Sequence, residues 1–444
     1  MALTLEKEAQ HTNGSTGANG TQAGEEFPTP YLGRSVKIVG PHVNVDMNQS
    51  PHPKNQRGEL GKPLFNWYRN TVSKDPLTRV SAPNHFADRR HFLTNVINRS
   101  SNGKINPQKV AVDDPAAMAR HIKAVALYMG ADVVGIAKAH PAYLYAGSRY
   151  VQDGTAEDTF QQDTPEDLVR RFPFVIQATT AWDYNKLQAH RHQVGDAAYH
   201  VSQMKGVMVL KALEGYIKEL GYTALRGVVT PQAAGVAGGI GELGRNGLVI
   251  NKNFGARIHM PDPILTDLPL ATDEPVDIGV DDFCKNCRKG ANTCSTNSIP
   301  FGDKVVFNGI EKYKINWLTC YKLRPYVHDY WGSCLTCAAV CPFTKPNVWW
   351  HNLATWTLHT CPYFARAALV RALKWIDDRF WGVVRNSRVT WLGYDSGIKP
   401  GEHACTVAGC NASHEKSAAS TVTGNVGYYA PLKENTNRFV KRDA

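Results

Sequence analysis

Apolar residues follow no steady period over residues 27–110. That stretch is rich in Pro, Asn, His and Arg and reads as an extended, loop-heavy covering layer. Regular patterning begins at Asp114. An Asp followed by Pro115 starts a helix well, because the carboxylate accepts from a free N–H of the first turn and proline needs no partner there. Met118, Ile122, Val125 and Met129 then recur at helical spacing. Gly130 stops that helix, and residues 131–137 (ADVVGIA) read as a buried strand. Residues 174–179 (FVIQAT) give a second strand. A long helix is predicted from about 197 to 220, with Met204, Met208, Leu213, Ile217 and Leu220 on one face and Gly221 at its end.

Residues 235–250 (GVAGGIGELGRNGLVI) hold six glycines before a closing apolar run. Such density signals close backbone approach, or turns that need positive φ. A dinucleotide-binding loop would follow a strand, open a helix and carry a spaced acidic residue. The segment lacks that context, which argues against a nicotinamide site.

With 444 residues, 43% of them apolar, the chain can hold two or three domains around a substantial core. Its longest apolar runs, such as residues 206–213, are short and broken by Lys211. None approaches the roughly 20 residues that cross a bilayer, so the chain reads as soluble. Residues 1–30 read as a disordered tail, rich in Gly, Thr, Asn and Gln, without the basic-then-apolar layout of an export signal. The expected location is cytoplasmic, or exported and membrane-associated if a signal has been removed. The net charge of +11 suits nucleic acid, anionic lipid, an acidic redox partner or an anionic cofactor, and no basic run selects among them.

Cysteine changes the picture. None of the ten lies before residue 284, and seven fall between Cys284 and Cys341. A dense patch in a large chain points to metal rather than to a disulfide scaffold. Cys334-x2-Cys337-x3-Cys341-Pro342 matches most of the bacterial ferredoxin run, in which the last cysteine before proline ligates the other cluster. Cys320 lies upstream of Cys334 with 13 residues between them and can reach the same site through a loop. The first half is Cys284-x2-Cys287-x6-Cys294, with Gly290 where a full run has a cysteine and Ser295 where it has proline. Cross-ligation then predicts one four-thiolate [4Fe–4S] site from Cys294, Cys320, Cys334 and Cys337. The other site has three thiolates, Cys284, Cys287 and Cys341. It is [3Fe–4S], or [4Fe–4S] with a fourth ligand such as Cys361. Structural zinc shares the two-residue spacings, but seven thiolates divide poorly into zinc sites. Cys405 and Cys410 read as ordinary thiols.

Several motifs, taken in order, resemble the corrinoid reductive dehalogenases. They are GADVVGIA (130–137), ELGY (219–222), GELGRNGLVINKNFGAR (241–257), TDLPL (266–270), DDFCKNC (281–287) and SCLTCAAVCPFTKP (333–346). The resemblance implies an α+β fold: a nitroreductase-like α/β cobalamin-binding core with an inserted two-cluster ferredoxin-like domain. The expected organisation is a tail (1–30), the covering segment and core (31–275), the iron–sulfur domain (276–350) and a C-terminal helical and loop segment (351–444). The implied reaction uses two electrons and one proton to exchange carbon–halogen for carbon–hydrogen. It implies Tyr199 as proton donor, with Gln203 one helical turn on, and Arg257 and His259 as its polar neighbours. It also implies Gly244, Arg245, Asn246 and Gly247 as a corrinoid-side loop. A phenol with a pKa near 10 needs a cation nearby to release its proton readily. The implied partners are a small organohalide, an external low-potential electron donor and a membrane anchor protein, with no nucleic acid.

Two other functions compete. Gly290 favours an iron–sulfur carrier or corrinoid-binding relic without dehalogenase activity. The positive charge fits an epoxyqueuosine-reductase-like tRNA-modifying enzyme, although those enzymes use an Asp donor and intact cysteine runs.

Overall fold

The computed structural model describes residues 27–62, 64–65, 103–146, 163–188, 190, 193–322, 333–346 and 348–380, and the backbone of short strands at Thr390–Trp391 and Tyr394–Asp395. Residues 1–26 of the expected tail lie outside the described residues, as do Cys405 and Cys410.

The Asp114 carboxylate accepts from the Ala116 N–H at 2.8 Å, and helix α1 runs over Pro115–Tyr128. Gly130, at φ +105°, takes the left-handed turn that ends it. The buried face is Ala119, Ile122 and Ala126, with Met118 and Val125 packed beside it; Met129 is exposed. Helix α2 (Pro165–Arg171) begins on a capping box in which Thr164 and Asp167 satisfy each other's backbone N–H groups.

The core strands are β1 (Val133–Lys138), β2 (Phe174–Ala181), β3 (Ala224–Arg226), β4 (Glu242–Leu243), β5 (Val249–Ile250), β6 (Ile258–His259) and β7 (Ile264–Thr266). Strand β1 pairs with β2 along its length, from Val133↔Thr179 to Lys138↔Phe174. The main sheet has the order β1-β2-β7-β3, and β6 pairs with the far end of β2. All of these pairings are antiparallel. Mixed helix and antiparallel sheet make the fold α+β.

Helix α3 spans Gln193–Glu219, starting a turn before the predicted 197. Its buried side is Ser202, Gly206, Val209, Leu210, Leu213 and Ile217, whereas Met208 is half exposed. Gly206 explains the rotation from the predicted stripe. A Cβ there would lie 3.0 Å from Pro261 Cγ and 3.1 Å from Thr180 Oγ1, so the helix meets the sheet on its smallest residue. Thr180 Oγ1 donates to Ser202 O at 2.7 Å and Ser202 Oγ donates to Thr180 O at 2.9 Å, which fixes helix and strand in register. Ile122, Ile136, Ile176, Leu210, Leu213, Ile217 and Ile264 fill the space between α1, α3 and the sheet.

Helix α4 (Pro231–Ala237) leads into the β4–β5 hairpin. Beyond it lie α5 (Val280–Asn286), α6 (Lys289–Thr293), α7 (Trp317–Lys322), α8 (Thr336–Ala339), α9 (Trp349–Thr360) and α10 (Tyr363–Phe380). Strands at Val305–Phe307 and Ile310–Lys312 take Lys37–Ile38 of the N-terminal segment as a third strand. Among the described residues, no helix is long and apolar enough to cross a membrane.

Candidate functional site

Seven cysteines gather where α5, α6 and α8 meet the β4–β5 hairpin. Cys284 sits in α5 and Cys287 ends it; Cys294 ends α6; Cys337 lies in α8. Glu242 fixes the start of α5. Its Oε2 accepts from Ile278 N at 2.7 Å and Val280 N at 3.0 Å, an anionic group at a helix N-terminus, although burial pushes its carboxyl above the usual range. Cys284, Cys287 and Cys341 line a cavity of about 30 Å³ together with Gly290, Ile299, Phe283 and Phe343. A Cβ on Gly290 would touch only Ile299 Cδ1, at 3.7 Å. Cys337 also lines this cavity, yet its largest charge couplings are to Cys320, Cys334 and Cys294. Cys284 is coupled to Cys287 and Cys341. Cys361, proposed as an outside ligand, ends α9 and is not among the cavity's lining residues.

Burial pushes the Cys341 thiol up to about 12 and raises Cys284 and Cys337 as well. A backbone donor opposes this at Cys284, where Arg245 N points at Sγ (3.4 Å); Ser298 N donates to Cys294 Sγ at 3.3 Å. Buried thiols that receive N–H groups suit ligands whose negative charge a bound metal group offsets. Among the described residues no three His, Cys, Asp or Glu side chains converge on one ion; Cys284, Cys287, Cys337 and Cys341 line the cavity.

The loop Gly244–Arg245–Asn246–Gly247 is the hairpin turn, closed by Gly247 N donating to Gly244 O at 2.9 Å. Arg245 is buried, and its guanidinium donates to Cys284 O (2.9 and 2.8 Å), Pro300 O (2.9 Å) and Gly302 O (2.5 Å). It also lies 4.1 Å over the Tyr313 ring. Asn246 Nδ2 donates to Cys337 O at 3.2 Å. These two side chains fasten the cysteine segments to the hairpin.

Buried charges stand beside the thiols. Lys289 and Asp377 are buried and paired, and Lys345 Nζ reaches Asp377 Oδ1 at 2.6 Å. Lys289 follows Cys287, Lys345 follows Cys341, and Asp377 comes from α10.

Tyr199 is half-buried near the start of α3, within a ring cluster. Its centroid lies 5.4 Å from Trp182, 5.4 Å from His259 and 5.0 Å from His200, all edge-on. Gln203, one turn on, accepts from His200 Nδ1 at 3.1 Å. Burial of the ring pushes His259 down to about 3, with His200 adding to the effect, although some of the residue's surface stays accessible. At neutral pH His259 is therefore uncharged and is not the cation a tyrosine donor needs. Arg257 is charged and buried. Its Nη1 donates to Trp182 O at 2.5 Å, so it reaches the cluster through Trp182. Trp182 Nε1 and Arg257 Nε are buried and have no acceptor among the described residues. Gly255 brings the halves together: at φ +60° it lies against Phe343, and Ala256 N donates to Thr344 Oγ1 at 3.0 Å. Trp182 and Glu242 escaped the sequence reading; Glu242 stood inside a quoted motif, and Trp182 directly follows the second strand.

No family profile matches the chain. The comparisons nevertheless return reductive dehalogenases, together with an epoxyqueuosine reductase of Lactococcus garvieae that is 23% identical over 167 residues, 37% of this chain. The tetrachloroethene reductive dehalogenase of Sulfurospirillum multivorans is 26% identical over 310 residues, which are 63% of this chain and 60% of that protein. That of Desulfitobacterium hafniense is 32% identical over 189 residues, 39% of this chain and 33% of its own. Among solved structures, the catabolic reductive dehalogenase NpRdhA aligns at a TM-score of 0.65 and 22% identity, over 84% of this chain and 52% of that one. The chain is a homologue of the reductive dehalogenases and shares their fold. It spans 60% of the length of the Sulfurospirillum relative and about half of the solved one.

Proposed function

We propose that the protein is an oxidoreductase that removes halide from a small organohalide, replacing carbon–halogen with carbon–hydrogen at the expense of two electrons and one proton. A solved relative is described as acting in B12-dependent dehalogenation. In this reading a corrinoid, when bound, supplies the carbon–halogen chemistry, and iron–sulfur clusters bring it electrons. The sheet with α1 and α3 is the nitroreductase-like core, and residues 276–350 are the ferredoxin-like insert. Cys294, Cys320, Cys334 and Cys337 hold one cluster; Cys284, Cys287 and Cys341 hold the other.

One observation carries the reading. Cys284 and Cys341 share a single packed core with Trp182, Ala256, Phe343 and Tyr199, so the thiol cavity and the tyrosine are parts of one body. The chain's own residues have distinct tasks. The Thr180–Ser202 lock holds α3 on the sheet, which sets the phenol of Tyr199 against Trp182 and His259. Tyr199 holds the proton to be delivered. Arg257 supplies the positive charge behind Trp182, the role that a neutral His259 cannot fill. The hairpin keeps Cys284 in place through Arg245.

An external low-potential donor and a membrane anchor protein are the partners this reading calls for. Anaerobic reconstitution with cobalamin, followed by iron and sulfide counting and halide assay on an organohalide panel, tests it. Tyr199→Phe is expected to cut turnover at least a hundredfold, roughly the loss of a general acid, with iron and corrinoid content unchanged. Full turnover in that variant excludes Tyr199 as the donor, and protein that holds zinc but no iron or sulfide refutes the whole reading.

A further inference from the structure

We propose that Trp182 and Arg257 form a halide-binding site beside Tyr199, which receives the anion the reaction releases. The two residues are paired through their backbones and side chains. Trp182 N donates to Arg257 O at 2.8 Å, and Arg257 Nη1 donates to Trp182 O at 2.5 Å. They are 4% and 8% exposed. Each nevertheless keeps one donor, Trp182 Nε1 and Arg257 Nε, sealed from water and with no acceptor among the described residues. A buried N–H left unmade costs about 1–3 kcal/mol, so two in contacting residues mark a place where something else accepts.

The charge makes the same point. Buried guanidinium groups are normally matched by a carboxylate. Among the described residues none forms an ion pair with Arg257; the nearest acids that influence it are Asp132 and Asp183. Both are held elsewhere, Asp132 accepting from Ala181 N at 2.7 Å and Asp183 from Lys186 N at 2.8 Å. Burial lowers the Arg257 pKa more than those acids restore it. Arg257 and Trp182 thus present an unpaired guanidinium and two donors without an acceptor among the described residues, which suits a small anion. The neighbouring rings refine the choice. Trp182 and Tyr199 meet edge-to-face at 5.4 Å, and ring edges carry the positive end of the aromatic quadrupole. A soft, spherical anion accepts from N–H groups and ring edges alike and needs no directional fork. The proposed reaction makes one such ion in each turnover. The choice of halide rests on that reaction, whereas the existence of an anion site rests on the geometry alone.

The test is bromide titration of the anaerobic holoprotein, followed by broadening of the 81Br resonance, with benzoate as an organic-anion competitor. Saturable broadening is expected, and Trp182→Phe, which keeps the ring and removes the N–H, should weaken bromide about tenfold or more. Iron content equal to that of the wild type shows that the variant has folded, and Arg257→Lys, which keeps the charge but loses Nε, should weaken bromide too. Absence of saturable binding, wild-type affinity in both variants, or binding of benzoate without bromide would overturn the assignment. Bromide binding that obeys these expectations in a protein that dehalogenates nothing would leave the anion site standing and remove the reaction.

Discussion

Gly290 offers the sharpest handle on the thiol cavity. It lies in α6 on the cavity wall and is absent from the positive-φ glycines, so its backbone accepts a side chain. A Cβ there meets one atom, Ile299 Cδ1, at an ordinary 3.7 Å. Replacing a helical glycine recovers up to about 1 kcal/mol of backbone entropy. Gly290→Cys should thus change stability by no more than about 1 kcal/mol while adding a fourth thiol beside Cys284, Cys287 and Cys341. If those three hold a three-iron cluster, the variant gains about one iron per chain, since four thiolates suit a four-iron cluster. Iron and sulfide counting on anaerobically purified protein reads the gain. EPR reads it independently, through loss of the oxidised three-iron signal and appearance of a second reduced four-iron signal. Unchanged iron and EPR, with the new thiol still open to alkylation, would refute the reasoning: either another group already completes the site or position 290 does not serve it.

Other perturbations test the scaffold. Gly255→Ala places a methyl 2.3 Å from Phe343 O in a left-handed turn, and overpacking with φ strain should cost about 2–5 kcal/mol in urea unfolding. Gly302→Ala, with nothing within 4 Å, should stay within about 0.5 kcal/mol, and equal stabilities would remove Gly255 as the contact point. His259 titrates near 6.5 when unfolded and about 3 when folded, so below pH 6.5 the unfolded chain binds a proton the fold refuses. Stability should therefore fall as pH drops from about 6.5 toward 3. His259→Gln should flatten that part of the curve, and superimposable curves would show that the ring is not enclosed.

What the sequence revealed and what it hid divide along physical lines. Asp114, Pro115, Gly130 and Gly221 act locally, on the turn they occupy, so the helices and the first two strands could be placed from spacing. The proposed cysteine grouping likewise comes from spacing, because cross-ligation is a rule about separation along the chain. The face of α3 was misjudged at Met208 because Gly206, not hydrophobicity, decides how closely that helix meets Pro261 and Thr180. The hairpin's corrinoid-side role rests on motif resemblance, and its hold on the cysteine segments is a separate matter of long-range bonding. Nothing in GRNG reveals that Arg245 bonds carbonyls 39, 55 and 57 residues later. Trp182 carries no motif, and its unsatisfied indole is visible only once Arg257 is folded against it.

Asp377 sets a limit on dissection. A fragment cut to residues 276–350 would keep the seven thiols, Lys289 and Lys345, but lose the carboxylate that α10 places against both amines. Two ammonium groups would then face a low-dielectric interior unbalanced, a penalty of several kcal/mol per ion. If the segment carries the proposed clusters, a minimal module therefore has to extend at least through the end of α10, and expression trials that stop soon after Cys341 should give insoluble or iron-poor protein.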